Sequence, residues 1–385
     1  MIKIPNFEFV LPTRVVFGEG VSSNIDIEIK KMGNKKPMIV TDKGLIKAGV
    51  VGKITKVLEK AAIDYAVFDE IEPNPRDTTV QNASEKAKAE KVDMLIAIGG
   101  GSSMDTAKAA GVLMTNGGKI NDYEGLDKVK RPICDLIAIP TTVGTGSEVT
   151  FWSVITDTQR HFKMSVGSTL IAAKLALVDP DLIVSLPPAI IASTGMDALT
   201  HAIEGYTCKM SEPITDACGI YAIKMISENI RDAVKSDSKD ARACMLIGSL
   251  MAGICFGNSD IAGVHCMGEA LGGLYDTPHG VSMALLLPYV MDYNCIECKD
   301  KFIEIAKVMG EDINGKTKEE AAYLAVEAVI NLNKDLNIPT LKNVGAKEED
   351  LAELAKRSSF NVSVDSNPRK ITEKDFLEIF KKAYC

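Results

Sequence analysis

The feature that most constrains this chain is a change of periodicity near residue 187. Before it, short uninterrupted apolar runs recur at 37–41 (PMIVT), 65–68 (YAVF), 94–98 (MLIAI), 136–139 (LIAI) and 175–178 (LALV). Helical patterns separate the first four. Strands about 30 residues apart with helices between them are βαβ units, which predicts a parallel sheet. Strands buried on both faces lose polar alternation and read as continuous apolar runs, as these do. The segment 8–17 (EFVLPTRVVF) has the character of a hairpin or an edge strand. After Leu186-Pro187-Pro188 the spacing becomes helical, over 189–207, 215–234, 240–257, 279–291, 318–336 and 373–384. A chain of 385 residues is too long for one ordinary core. The expected organisation is therefore an α/β domain over 1–186 followed by an all-helical domain over 187–385.

Composition removes several classes of function. A net charge of −8 lacks the basic face that nucleic-acid binding needs. No stretch reads as a transmembrane helix, and the N-terminal segment has neither the apolar core nor the cleavage site of a signal peptide, so a cytoplasmic location is expected. Nine cysteines, an odd number, read as free thiols in a reducing compartment. Cys295 and Cys298 form a single CxxC without a second pair or a thioredoxin-like strand, so both are expected to be buried or semi-buried thiols.

Two loops at predicted strand ends carry the chemistry of the first half. Ile98-Gly99-Gly100-Gly101-Ser102 leads into a helix beginning Ser103-Met104-Asp105-Thr106. Such glycines let backbone N–H groups approach a pyrophosphate, and the helix N-terminus adds partial positive charge. A structural turn is the competing reading, because the spacing is neither GxGxxG nor a P-loop. The second loop runs from Pro140 to Glu148 (PTTVGTGSE). Two hydroxyl- and glycine-rich loops at the carboxyl ends of one sheet build the kind of cleft in which open α/β sheets bind ligands. Asp42 ends the first run as Val40-Thr41-Asp42, where a carboxylate can bond an adenosine ribose and repel a 2′-phosphate. A helix N-cap is its alternative role.

The second half carries a scarce residue in concentrated form. The chain has four histidines, and three of them, His201, His265 and His279, lie within 201–279. Asp197 and His201 stand at i and i+4 on a predicted helix, close enough to hold one ion, although a surface pair or a satisfied core histidine uses the same spacing. Gly272, Gly273 and Pro278 are expected to break the chain between His265 and His279 and place them on different elements. One carboxylate with three imidazoles suits Fe(II) or Zn(II). His161, in a polar stretch, reads as a surface histidine.

Together these segments resemble the iron-containing, or group III, alcohol dehydrogenases nearly end to end. The motifs are Glu72-Pro73-Asn74-Pro75, AIGGGSSMDTAK (97–108), IPTTVGTGSEVT (139–150), TGMDALTHAIEGY (194–206) and GLYDTPHGV (273–281), with a looser match over 338–369. The chain is most similar to the branch of lactaldehyde reductases, propanediol dehydrogenases and NAD-dependent methanol dehydrogenases. The resemblance implies a Rossmann-like domain and a helical metal domain of the dehydroquinate synthase-like superfamily, with the active site in the cleft between them. It implies metal ligands at Asp197, His201, His265 and His279. It implies cofactor contacts at Asp42, Asn74, Gly99, Gly100, Gly101, Ser102, Asp105, Thr141, Thr142, Thr145, Ser147, Thr150 and Lys163. It implies a substrate pocket near Trp152, Phe256, Asp260 and Ser363, and homodimers or larger assemblies in which N-terminal strands pair.

The chain departs from that branch where a further histidine is usual, four residues after His265; Glu269 stands there. If that segment is helical, Glu269 shares a face with His265. It could be a ligand or ligand support, a proton relay, or a structural residue paired elsewhere. Trp152, Ser153, Asp260 and Ser363 also differ from the usual pattern, so the substrate does not carry over.

The expected function is hydride transfer between NAD(H) and a short-chain primary alcohol, diol or aldehyde, with a divalent cation lowering the alcohol pKa as it would that of water. A glycerol dehydrogenase-like or cyclising-synthase-like enzyme of the same superfamily, a hydrolase, and a reductase of polar or anionic short aldehydes are the enzymatic rivals. Incubation with NADH and short aldehydes separates them. A catalytically silent assembly subunit is the non-enzymatic rival, and a metal assay separates that one.

Overall fold

In the computed structural model, described over residues 6–33, 35–160, 162–236 and 238–384, the chain forms two compact units. One comprises Val10–Thr142 and Gly146–Leu186. The other takes the described residues from Pro187 onward, with 6–9 and Val143–Thr145. His161 lies outside the described residues.

The first unit contains strands β1 (Arg14–Phe17), β2 (Pro37–Val40), β3 (Ala66–Phe68), β4 (Met94–Gly99), β5 (Gly125–Leu126), β6 (Asp135–Pro140), β7 (Trp152–Asp157), β8 (Phe162–Gly167) and β9 (Leu175–Val178). Its helices are α1 (Ile25–Lys31), α2 (Lys43–Lys47), α3 (Val50–Lys60), α4 (Asp77–Ala89) and α5 (Gly101–Thr115). Six strands make a wholly parallel sheet in the order β1-β9-β6-β4-β2-β3. Every residue of β2, β4 and β9 is buried, which explains their unbroken apolar runs. Ile39, Ile96, Ile98 and Ile137 face one core and Met38, Leu95, Ala97 and Ala138 the other, the alternation of a two-sided sheet. The segment 8–17 resolves as an edge strand over Arg14–Phe17 and no hairpin.

Sequence periodicity did not predict the small second sheet, β5-β8-β7, in which β7 and β8 run antiparallel. Strand β7 alternates half-buried and buried residues, and β8 follows the same alternation only in its middle.

The second unit is helical: α6 (Pro188–Thr207), α7 (Pro213–Lys235), α8 (Lys239–Asn258), α9 (Gly263–Tyr275), α10 (His279–Asn294), α11 (Lys299–Val308), α12 (Lys318–Asp335), α13 (Leu351–Ser359) and α14 (Glu373–Tyr384). Helices α9, α11 and α13 were missed at the level of sequence. Gly272 and Gly273 do not break the chain, as expected above, but lie inside α9. The break is at Asp276, whose φ of 52° ends α9 in the left-handed region, and at Pro278, which precedes α10. A second correction concerns length: α8 has 20 residues and a mean hydropathy of 1.3, enough to cross a membrane by composition. It is a core helix, packed on α6 and α7 with most of its apolar span buried.

Candidate functional site

In the helical unit, α6 starts with Pro188 at its first turn, where a missing N–H costs nothing. Nearly all of its second half is buried, and it presents Asp197 and His201 one turn apart. His265 lies in the first turn of α9 and His279 is the first residue of α10. Gly280 explains how α10 reaches α6: a Cβ there would lie 2.3 Å from the backbone oxygen of Ser193. Only glycine permits that approach, and it leaves His279 Nε2 3.5 Å from Asp197 Oδ1. Gly144 covers the same carboxylate, since its Cβ would fall 3.2 Å from Asp197 Oδ2.

One ligand atom from each of Asp197, His201, His265 and His279 lies within 4.8 Å of all the others. The ring centroids of His201 and His265 are 4.5 Å apart, and those of His265 and His279 are 5.5 Å apart. Phe256, from α8, stacks on His201 at 4.2 Å and 17°. Two buried imidazole nitrogens, His201 Nδ1 and His265 Nε2, have no hydrogen-bond partner in the protein. Buried polar atoms are almost always paired, so two orphans on residues of this one cluster mark a place for a bound group. Three imidazoles and a carboxylate are a donor set for a borderline divalent ion, and the residues present fit one. Burial holds the His201 pKa well below the usual range, with His265 adding to the effect, so that ring is a neutral lone-pair donor.

Sequence reasoning missed Glu204. It stands three residues after His201, inside the quoted 194–206 motif, and is almost wholly buried. Its Oε2 is 2.5 Å from His265 Nδ1 and accepts the N–H of Ala262 at 3.0 Å, while Oε1 accepts the N–H of Val264 at 2.6 Å. Burial pulls the His265 pKa down, but the carboxylates of Glu204, Asp197 and Glu269 together outweigh it and the net shift is upward. A glutamate at i+7 from Asp197 on an otherwise apolar helix was the available signal.

The remaining helical candidates divide. The segment bearing Glu269 is helical, and Glu269 accepts a 2.7 Å hydrogen bond from Asn361 Nδ2. Asp260 accepts hydroxyls from Ser363, at 2.9 Å, and from Ser366. Burial raises the Asp260 pKa against those two bonds. Thus Asp260 and Ser363 meet, as a mutually satisfied pair.

In the α/β unit, β2, β4 and β6 are neighbours, so Asp42, Gly99 to Ser102, Thr141 and Thr142 follow the carboxyl ends of adjacent strands. Gly99 and Pro140 are in register, and Thr141 N–H donates to the Gly99 carbonyl at 3.0 Å. A Cβ on Gly99 would overlap the Ser103 side chain. Asp42 caps α2, its Oδ1 accepting the Leu45 N–H at 2.9 Å. Asn74 is left-handed, with φ 54°, and its carbonyl accepts from Thr156 Oγ1 at 3.4 Å. Lys163 on β8 stands opposite Thr156.

Asp105, Ser147 and Thr150 converge on a residue that the sequence reading passed over, Lys108. It is fully buried, and its Nζ donates to Ser147 O, Ser147 Oγ, Thr150 Oγ1 and Trp152 O at 2.7–3.2 Å. Asp105 accepts from Ser147 Oγ at 2.8 Å and from Val154 N–H at 3.0 Å. Ser153, also buried, donates to the Asp105 carbonyl at 2.8 Å. Burial lowers Lys108 to about 8 and raises Glu148 to about 7. A lysine among the alanines of 107–110 was the visible signal. Trp152 is half-buried against Gly167. Cys295 is buried and Cys298 half-buried, both as free thiols.

Comparison with known proteins agrees with this geometry. Residues 12–180 match the family "Iron-containing alcohol dehydrogenase", and residues 191–384 match "Fe-containing alcohol dehydrogenase family, C-terminal". The chain is 41% identical over 382 residues to 1,3-propanediol dehydrogenase of Citrobacter freundii, covering 98% of this chain and 99% of that one. It is 40% identical to NAD-dependent methanol dehydrogenase of Bacillus methanolicus, covering 97% and 99%. A solved structure of 1,3-propanediol oxidoreductase superposes with a TM-score of 0.96 at 40% identity, covering 99% of this chain and all of that one. The chain belongs to the iron-containing alcohol dehydrogenase family.

Proposed function

We propose that this protein is an NAD(H)-dependent dehydrogenase of short primary alcohols and diols, working equally as a reductase of the matching aldehydes. The observation that carries the proposal is the four-residue cluster with its two unpartnered imidazole nitrogens. Asp197, His201, His265 and His279 would hold one divalent ion, for which Fe(II) is the first choice and Zn(II) the second. When bound, that ion supplies Lewis-acid polarisation of the substrate oxygen, and the nicotinamide accepts or gives the hydride. The chain's own part is positional. His201 is kept neutral by burial, Phe256 packs its ring, and Gly144 and Gly280 admit backbone where any side chain would collide. The loops after β4 and β6 offer backbone N–H groups and hydroxyls to a pyrophosphate at the start of α5. Asp42 favours NAD(H), because a carboxylate repels a 2′-phosphate.

Glu204, Asp260 and Glu269 are three carboxylates in the unit that holds the cluster, and charge of that sign disfavours anionic aldehydes. We further propose that residues 1–186 and 187–385 act as nucleotide-binding and metal-binding domains of a cytoplasmic enzyme. Copies would associate through the open edge of β1, beside which Leu11 and Phe17 are exposed. The direct test is a panel of short neutral aldehydes, diols and anionic aldehydes assayed by NADH absorbance with Fe(II)-loaded protein. Turnover of small neutral aldehydes is expected. Failure of every aldehyde with metal verified as bound would overturn the reading.

A further inference from the structure

We propose that Glu204 is a positioning residue for His265, fixing which ring nitrogen faces the metal cluster; the inference rests on the metal site proposed above. A neutral imidazole has one N–H and one lone pair, and the hydrogen bond made by one nitrogen decides the role of the other. Glu204 Oε2 is an acceptor at 2.5 Å from His265 Nδ1. It therefore keeps the proton on Nδ1 and leaves the lone pair on Nε2, the nitrogen without a protein partner.

The same carboxylate does a second task. The first N–H groups of a helix have no partner within it, and Glu204 accepts two at the start of α9, those of Ala262 and Val264. Gly263 N–H between them is taken by Asn367 Oδ1 at 3.2 Å. Neither the hydrogen bonds of Ala262 and Val264 nor that of His265 Nδ1 has room for a donor in place of the carboxylate. The two backbone groups Glu204 meets are both N–H donors, one on each oxygen, so the side chain must offer an acceptor on both sides, and His265 Nδ1 faces one of those acceptors. One side chain on α6, the helix that carries Asp197 and His201, thus sets both where α9 begins and how its histidine is turned.

Glu204→Gln tests this at nearly constant shape. An amide must point its NH2 either at the Val264 N–H or at the place Oε2 shares between the Ala262 N–H and His265 Nδ1. The first leaves two donors facing each other. The second makes Nδ1 the acceptor and puts the ring proton on Nε2, towards the ion. Apo-protein is titrated with Zn(II) against a chromophoric chelator, giving stoichiometry and Kd, for wild type, Glu204→Gln, His265→Ala and the double variant, with apo Tm and circular dichroism alongside. We expect one Zn(II) per wild-type chain and a Kd about 10- to 100-fold weaker in Glu204→Gln. In the His265→Ala background the same change should alter Kd by less than about twofold, because the effect passes through that ring. Equal weakening in both backgrounds, or an unchanged Kd with a lowered apo Tm, would reduce Glu204 to a helix cap and overturn the proposal.

Wild type that binds no stoichiometric Zn(II) would overturn the metal reading itself, and this inference with it. A second measurement needs no substitution at Glu204. In ¹⁵N-histidine-labelled, Zn(II)-loaded protein, His265 should carry its proton on Nδ1; a proton on Nε2 would contradict the account.

Discussion

The helical unit and the α/β unit handle buried polar groups in opposite ways, and the contrast separates the part of the molecule that binds from the part that holds. Around Asp197, the histidines leave His201 Nδ1 and His265 Nε2 without hydrogen-bond partners in the protein. Around Lys108, polar side chains that the family resemblance assigns to cofactor contact are engaged with one another. An unsatisfied buried nitrogen costs about 1–3 kcal/mol unless something occupies it, so the first arrangement points to a ligand. The second is a framework: Lys108 ties α5 to the chain between Ser147 and Trp152.

The largest expected effect is at the cluster. His265→Ala should abolish NADH-dependent aldehyde reduction and lower the metal content while circular dichroism stays native, because a three-ligand site holds the ion more weakly. Full turnover in metal-free His265→Ala protein would remove the basis of the contrast. Lys108→Met is next. It removes the shared donor of four acceptors and should cost about 3 kcal/mol or more of stability in urea denaturation, together with a raised KM for NADH. Metal content should not change. Unchanged stability would show that the buried network is not a framework.

A smaller effect is expected at Asp42. Asp42→Gly removes a cap that glycine replaces at a cost of a few tenths of a kcal/mol, so the fold persists and NADPH use should rise relative to NADH. Wild type that already prefers NADPH would refute the reading of this residue. The smallest effect is assigned to Glu269. Glu269→Gln can still accept from Asn361, so metal content and the pH–rate profile are expected to stay as in wild type, with kcat within about threefold. A displaced profile with metal retained would instead make Glu269 a proton relay.

How much was legible in the sequence follows the same division. The strands of the parallel sheet showed themselves because burial on both faces leaves no polar alternation to confuse them, and β9 matches its apolar run residue for residue. The ligand set could be collected because histidine is scarce and Asp197 and His201 share a helix face. Glu204 and Lys108 were not singled out, because charged residues inside apolar helices look like surface residues until burial is known. Helix α9 was obscured by its own glycines, which lie within it at 268, 272 and 273 and end nothing. The β7–β8 hairpin escaped because its half-buried alternation is short and interrupted by Thr158 and Gln159.

The central claim is that one divalent ion at Asp197, His201, His265 and His279 is what makes this chain a dehydrogenase. It is tested most directly by anaerobic titration of apo-protein with Fe(II), following NADH-dependent reduction of a short aldehyde at each addition. Activity should start near zero, rise in proportion to added metal and saturate at one equivalent per chain. Full activity in the metal-free protein, or a rise that ignores the stoichiometry of bound ion, would contradict it.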